Sequence, residues 1–263
     1  MYQVQTTSFI APSGVEYTIR EQNGQDEEVL TNLAEVKRYM VVNNFLQGII
    51  QKTSFKNGQL TLQEVLDIPW LDRQCILFKS RIFSIGEILE FSWKWPGMKN
   101  GKLVTNTVEY EQDLNEYLYS DYSSPQSITD EELASKPLAI PFYMVCPEDD
   151  GYFYLTLKSG KQIRFRRLDG NSELYIVKLN PSEQTRNTSL IARNLELKID
   201  DKWERVYNFS LFSVKDMQEI RKSVSQLDPD FAPVTEITNP ETEEVQEINL
   251  LTLSSFFFPG EDA

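Results

Sequence analysis

Ser13-Gly14-Val15-Glu16-Tyr17-Thr18-Ile19-Arg20-Glu21-Gln22-Asn23-Gly24 and Ser159-Gly160-Lys161-Gln162-Ile163-Arg164-Phe165-Arg166-Arg167-Leu168-Asp169-Gly170 are the two stretches that decide the fold. Ser-Gly, Arg and Gly recur in them at the same internal spacing, each set on a turn that opens a strand of period two. Outward from this core, Asp72 finds a partner in Asp216 at the start of a helix of similar length. Trp95-Pro96 finds one in Asn239-Pro240 at the same offset as the aspartates. Matches in register with a shared element order (strand, helical segment, β-ribbon) indicate an internal duplication.

The expected fold class is therefore α+β, as two related halves, each with helices and a small antiparallel sheet or β-ribbon. The N-terminal half covers 1–117, a polar connection 118–140, and the C-terminal half with its aromatic tail 141–263. In the first half, Val29, Leu33, Val36, Met40, Leu46 and Ile50 predict a helix from about Asp26 to Lys52. Thr61 to Glu64 reads as a capping box, and Asp72 to Arg81 as a helix with one apolar stripe. The alternation from Ile88 to Trp95 leads to a hairpin tip near Trp95-Pro96-Gly97 and Lys99-Asn100-Gly101. In the second half Leu174 to Leu179 reads as strand-like, and Leu190 to Leu197 as helical or mixed. Ile199 to Trp203 reads as a tight turn between strands, and Ser213 to Gln226 as a helix.

Composition narrows function. The 263 residues carry a net charge of −14, with 40 acidic against 26 basic side chains, which argues against nucleic acid and anionic membrane surfaces as partners. The basic run Lys161 to Arg167 reads better as the polar face of a strand, with Ile163 and Phe165 turned inward. No apolar run approaches the length of a membrane span and no secretory signal is evident, so folding in a cytoplasm is expected. Cys75 and Cys146 read as two reduced core thiols, with a disulfide between them the other reading. The chain has no histidine, so no Ser-His-Asp or Cys-His nucleophile can be built and the commonest zinc ligand is missing. Carboxylate-only hydrolysis stays formally open, but no acidic pair stands out by spacing. An enzyme is not expected, and neither is a cofactor.

Phe212-Ser213-Val214-Lys215-Asp216, Leu227-Asp228-Pro229-Asp230, Asn239-Pro240-Glu241-Thr242-Glu243 and Ser255-Phe256-Phe257-Phe258-Pro259 resemble the C-terminal part of tailed-phage (myovirus-type) baseplate hub and tail-assembly proteins. Pro12-Ser13-Gly14 and Arg81-Ile82-Phe83-Ser84-Ile85-Gly86 resemble the opening of that family and the lead into its first ribbon. The resemblance implies a structural protein of the tail baseplate, at hub or adapter level. Such a protein is assembled in the host cytoplasm and carried in the virion, in several copies within a symmetric assembly and against other baseplate or tail proteins. Alternatives are a tail-assembly chaperone not retained in the virion, or an acidic soluble binding protein that mimics DNA. Family members often hold zinc at the ribbon tips through paired cysteines. Here the tips carry Trp95-Pro96-Gly97 and Asn239-Pro240-Glu241 instead, so metal-free ribbons are expected. Trp93, Trp95, Phe256, Phe257 and Phe258 are the candidate partner contacts, because aromatics on short ribbons and three consecutive Phe near a terminus need cover. That cover is either the chain's own fold or a neighbouring subunit.

Overall fold

The structure, a computed structural model, describes residues 4–99, 102–117, 151–227 and 233–259. The polar connection at 118–140, Cys146 and the Asp228-Pro229-Asp230 element lie outside the described residues. The fold is α+β, and the duplication extends to individual hydrogen bonds. Strands β1 (Thr6–Ile10) and β2 (Glu16–Arg20) pair antiparallel with Ile10 opposite Glu16; β7 (Phe153–Thr156) and β8 (Gln162–Phe165) pair with Thr156 opposite Gln162. Both hairpins close by the same bonds. Gly14 N–H donates to Ala11 O at 2.8 Å and Ala11 N–H to Val15 O at 2.9 Å; Gly160 N–H donates to Leu157 O and Leu157 N–H to Lys161 O, both at 2.8 Å. The glycines sit at φ 86° and 85°, a left-handed conformation that side chains resist, and this is why Ser-Gly recurs.

Each hairpin then gives a helical insertion before its sheet is completed. In the first half this is α1 (Gly24–Leu30), α2 (Leu33–Lys37) and α3 (Val41–Ile49), followed by β3 (Ile50–Thr53) and β4 (Lys56–Asn57), giving sheet order β1-β2-β3-β4. The single helix expected from Asp26 to Lys52 is thus broken. Asn32 restarts it by accepting from Ala34 N–H at 3.0 Å, and Tyr39 interrupts it with φ 58°. In the second half come α6 (Gly170–Lys178), α7 (Thr188–Ala192), β9 (Glu196–Ile199) and β10 (Lys202–Arg205), with the matching order β7-β8-β9-β10. The strand-like reading of Leu174 to Leu179 is corrected here. Asp169 caps a helix by accepting from Ser172 N–H at 2.8 Å, and this outweighs the β-propensity of Tyr175, Ile176 and Val177. The tight turn after Ile199 is present, with Asp200 and Asp201 at φ 46° and 63°.

A capped helix and a ribbon follow in each half. Thr61 and Glu64 form the capping box of α4 (Leu62–Leu66), which leads into α5 (Trp70–Ile85) and the ribbon β5–β6 (Ile88–Lys99 and Lys102–Asp113). The second half has α8 (Val214–Leu227) and β11–β12 (Val234–Thr238 and Val245–Asn249). Of the two stretches expected at the tip of the first ribbon, Trp95-Pro96-Gly97 is instead paired within it. Trp95 lies within the strand opposite Asn106, and the pairing runs on to Lys99 opposite Lys102. Asn239-Pro240, by contrast, begins the turn of the shorter second ribbon.

Three cores result. One joins the first sheet to α3, α4 and α5, with Phe9, Tyr17, Phe45, Ile49, Cys75 and Ile76 buried. One joins the second sheet to α7 and α8, with Ile163, Phe165, Leu190, Leu197, Ile220 and Val224. The third is shared, formed by Leu89, Phe91 and Trp95 of the first ribbon, Ile237 and Ile248 of the second, Phe78 of α5, and Leu253 and Phe256 of the tail. Isolated two-stranded ribbons are marginal in water, and these two cover each other. Tyr110 Oη donates to Thr238 O at 2.9 Å and Thr235 Oγ1 to Gln112 Oε1 at 2.7 Å.

Candidate functional site

The aspartates matched in sequence, Asp72 and Asp216, occupy the same place in the first turn of α5 and α8, and each holds the Ser-Gly turn of its own half. Ser13 N–H and Oγ donate to Asp72 at 2.9 and 2.5 Å, and Tyr17 Oη at 3.1 Å. Burial pushes both the Asp72 carboxyl and the Tyr17 phenol up from their ordinary values. Asp216 accepts from Lys161 Nζ at 2.8 Å and also from Ser159; this ion pair and these hydrogen bonds hold its carboxyl below the usual range. It also completes a reciprocal cap with Ser213, at 3.0 and 3.1 Å. The halves therefore share a scaffold and differ in what lies beside it.

In the second half a groove opens there. Met217, Ile220 and Val224 of α8 face the second core, while Asp216, Glu219 and Ser223 turn toward the β7–β8 hairpin. Glu219 accepts the backbone N–H of Lys158 at 3.1 Å, tying helix to turn. Between them runs a cavity of about 1370 Å³, lined by Tyr154, Trp203, Lys158, Lys198, Lys215 and Lys222 among others. Asp216 is neutralised by Lys161, and Lys198 pairs with Asp201 at 3.0 Å. The ammonium groups of Lys158, Lys215 and Lys222 enter no ion pair among the described residues, so the groove is net positive. Beside it, Arg164 lies 4.2 Å from the Tyr152 ring centroid and 4.9 Å from that of Trp203, and pairs with Glu196 at 2.5 Å. The position of Lys222 is held in the first half by Phe78, whose ring meets Phe256 of the tail at 5.1 Å. One half is covered there by Phe256 of the same chain, and the other presents charge to solvent.

The five aromatic contact candidates fall elsewhere. Trp95 is 1% exposed, donates Nε1–H to Tyr110 Oη at 2.7 Å, and belongs to the shared core together with Phe256 at 0%. Neither has a face to offer a partner in this fold, because ribbon pairing leaves them between the two ribbons and α5. Trp93 and Phe257 are half-buried against the same core, and Phe258 is half-buried. Phe256 and Phe257 pack on their own chain: Phe257 also meets Phe45 of α3 at 5.8 Å.

No protein family, curated protein or solved structure matches this chain. What the groove can do must follow from its own chemistry. Among the described residues no three His, Cys, Asp or Glu side chains cluster so as to hold a metal. No helix of the described residues is long and apolar enough to cross a membrane. The groove residues are hidden in the sequence because the −14 charge of the whole chain masks them. Counted by segment, residues 151–227 hold fourteen Lys and Arg against nine Asp and Glu, and no Lys or Arg follows Lys222. That asymmetry is the signal that could have found them.

Proposed function

We propose that this chain is a non-enzymatic architectural subunit that works by protein–protein contact. The setting that its sequence resemblance implies is the baseplate of a tailed phage, at hub or adapter level. The observation that carries the reading is the lysine-lined groove. Its volume exceeds the roughly 300–1,000 Å³ of clefts that enclose small molecules. Three ammonium groups without an ion pair among the described residues, beside Trp203 and Tyr154, suit a chain segment bearing carboxylates, with the aromatics supplying apolar contact. A tail-assembly chaperone would use the same surface and leave the particle afterwards.

A second reading is favoured by one observation. Glu236, Glu241, Glu243, Glu244 and Glu247 stand exposed on or beside the second ribbon, in a stretch with no basic residue, as a protein that occupies a basic partner would require. The two are separated by quantitative mass spectrometry of purified phage particles, with Lys215→Glu/Lys222→Glu as the companion variant. A structural subunit is present at a low, fixed copy number and is lost from particles when the groove charge is reversed. Recovery only from infected-cell lysate identifies the chaperone. Absence from particles and from assembly intermediates alike refutes the proposal.

A further inference from the structure

The junction between the two halves is a head-to-tail contact within one chain. The first half contributes α4 and the start of α5, and the second contributes the β8–α6 connection. Trp70 N–H donates to Leu168 O at 2.8 Å, and Asn171 Nδ2 donates to Leu66 O at 3.3 Å and Asp67 Oδ1 at 3.0 Å. Arg73, fully buried, donates to Val65 O at 3.0 Å, Asn43 Oδ1 at 2.8 Å and Glu173 Oε2 at 3.0 Å. The approach is closest at Gly170, where a Cβ would stand 2.9 Å from Arg73 Nη1 and 3.0 Å from Leu66 Cα. Only glycine fits the junction there.

A repeat joined head to tail leaves one copy of each joining surface unused at its ends. The register that matches Asp72 to Asp216 sets Leu211 and Val214 of the second half where Asp67 and Trp70 make the junction. That end is exposed and apolar: Tyr207 is 64% exposed, Leu211 46% and Val214 76%. At the opposite end, the register that matches Gly14 to Gly160 sets Gln22 to Gln25 where Leu168 to Asn171 make the junction. Gly24 is the counterpart of Gly170. It is not at positive φ, and a Cβ there would meet nothing within 4 Å among the described residues. Among the described residues no contact explains a glycine at this place, whereas a second junction of the same kind does. The charges agree: Glu27 and Glu28 are exposed on α1, and Lys215 beside Val214 has no ion pair among the described residues.

We propose that copies of this chain associate head to tail, the Tyr207, Leu211 and Val214 patch of one copy seating on the Asn23-Gly24-Gln25 helix start of the next. This rests on the reading of the chain as a protein-binding subunit and adds a second copy of itself to its partners, on a patch outside the groove. The contact is heterologous, so it closes into a ring or runs on as a filament according to the rotation per copy. It is weaker than the internal junction, because Met217 stands where Arg73 makes its buried bonds.

Sedimentation velocity on the full chain over a concentration series tests this. The wild type grows beyond a monomer with concentration. Gly24→Trp, whose Cβ meets nothing within 4 Å among the described residues, stays folded by circular dichroism and needs at least tenfold more protein to associate. Leu211→Asp/Val214→Asp behaves likewise. Each variant keeps one intact surface, so an equimolar mixture of the two forms dimers and stops there. A wild type that stays monomeric, an association that Gly24→Trp leaves intact, or a mixture that yields no dimer overturns the inference. A monomeric wild type that still enters phage particles sinks head-to-tail assembly alone. Self-association by a chain absent from particles and assembly intermediates sinks the baseplate reading alone.

Discussion

Gly170→Ala and Gly24→Ala add the same methyl group at equivalent points of the two halves and are expected to change stability in opposite directions. At Gly170 the new Cβ lies 3.0 Å from the backbone Cα of Leu66 and 2.9 Å from an Arg73 nitrogen. Neither neighbour can retreat easily. Leu66 closes α4, and the guanidinium is held by Val65, Asn43 and Glu173. Overpacking of this kind costs about 1–3 kcal/mol. At Gly24 the methyl meets nothing within 4 Å among the described residues and the backbone is not left-handed, so the lower entropy of the unfolded chain stabilises by about 0.4–1 kcal/mol. With about 2–4 °C of melting temperature per kcal/mol for a chain of this size, the two variants should melt roughly 3–16 °C apart. Near-ultraviolet circular dichroism melts at low protein concentration, where self-association does not contribute, measure the gap. Equal shifts of the same sign would refute the claim that the internal junction, rather than the helix start itself, demands the glycine.

Two further predictions concern the tail and the paired aspartates. Phe256→Ala removes a fully buried ring stacked edge-on against Phe78 and Phe257, and should lower stability by about 3–5 kcal/mol in urea titrations; a loss below about 1 kcal/mol would mean that the tail is not part of the core. The paired aspartates should respond to pH with opposite signs. Asp72, raised by burial, contributes stability that is full below the unfolded carboxylate pKa and is lost as pH rises through its folded value. Asp216, lowered chiefly by Lys161, contributes stability that is present above the unfolded pKa and is lost as pH falls toward its folded value. Relative to wild type, Asp216→Asn should therefore cost most near neutrality, and Asp72→Asn should cost least there. Urea midpoints from pH 3 to 8 read both, and parallel pH dependences would contradict the assignment.

The duplication is legible in the amino-acid sequence, because it is written in residues with obligatory local roles. Gly14 and Gly160 are needed for a left-handed turn, and Asp72 and Asp216 each hold that turn from the first turn of a helix. The α+β class, the Thr61 cap and the inward faces of Ile163 and Phe165 follow from the same kind of short-range physics. Where the repeat and local propensity disagree, as over Gly170 to Leu179, the repeat is the better guide: Gly170 matches the helix start at Gly24, and cap and packing prevail over β-branched composition.

Long-range contacts decided the rest. Trp95 and Phe256 have the same apolar character whether they face a partner or their own core, and only the pairing of two ribbons over Phe78 put them inside. The groove needed lysines from the β7–β8 turn, β9 and α8 to converge, residues far apart in sequence whose charge is hidden in the total. The sequence by itself determined a turn, a cap and their repetition, because each is enforced within a few residues. Which of the two equivalent helix flanks is sealed and which stays open is a tertiary matter, because it depends on Phe256 packing on Phe78 from far along the chain.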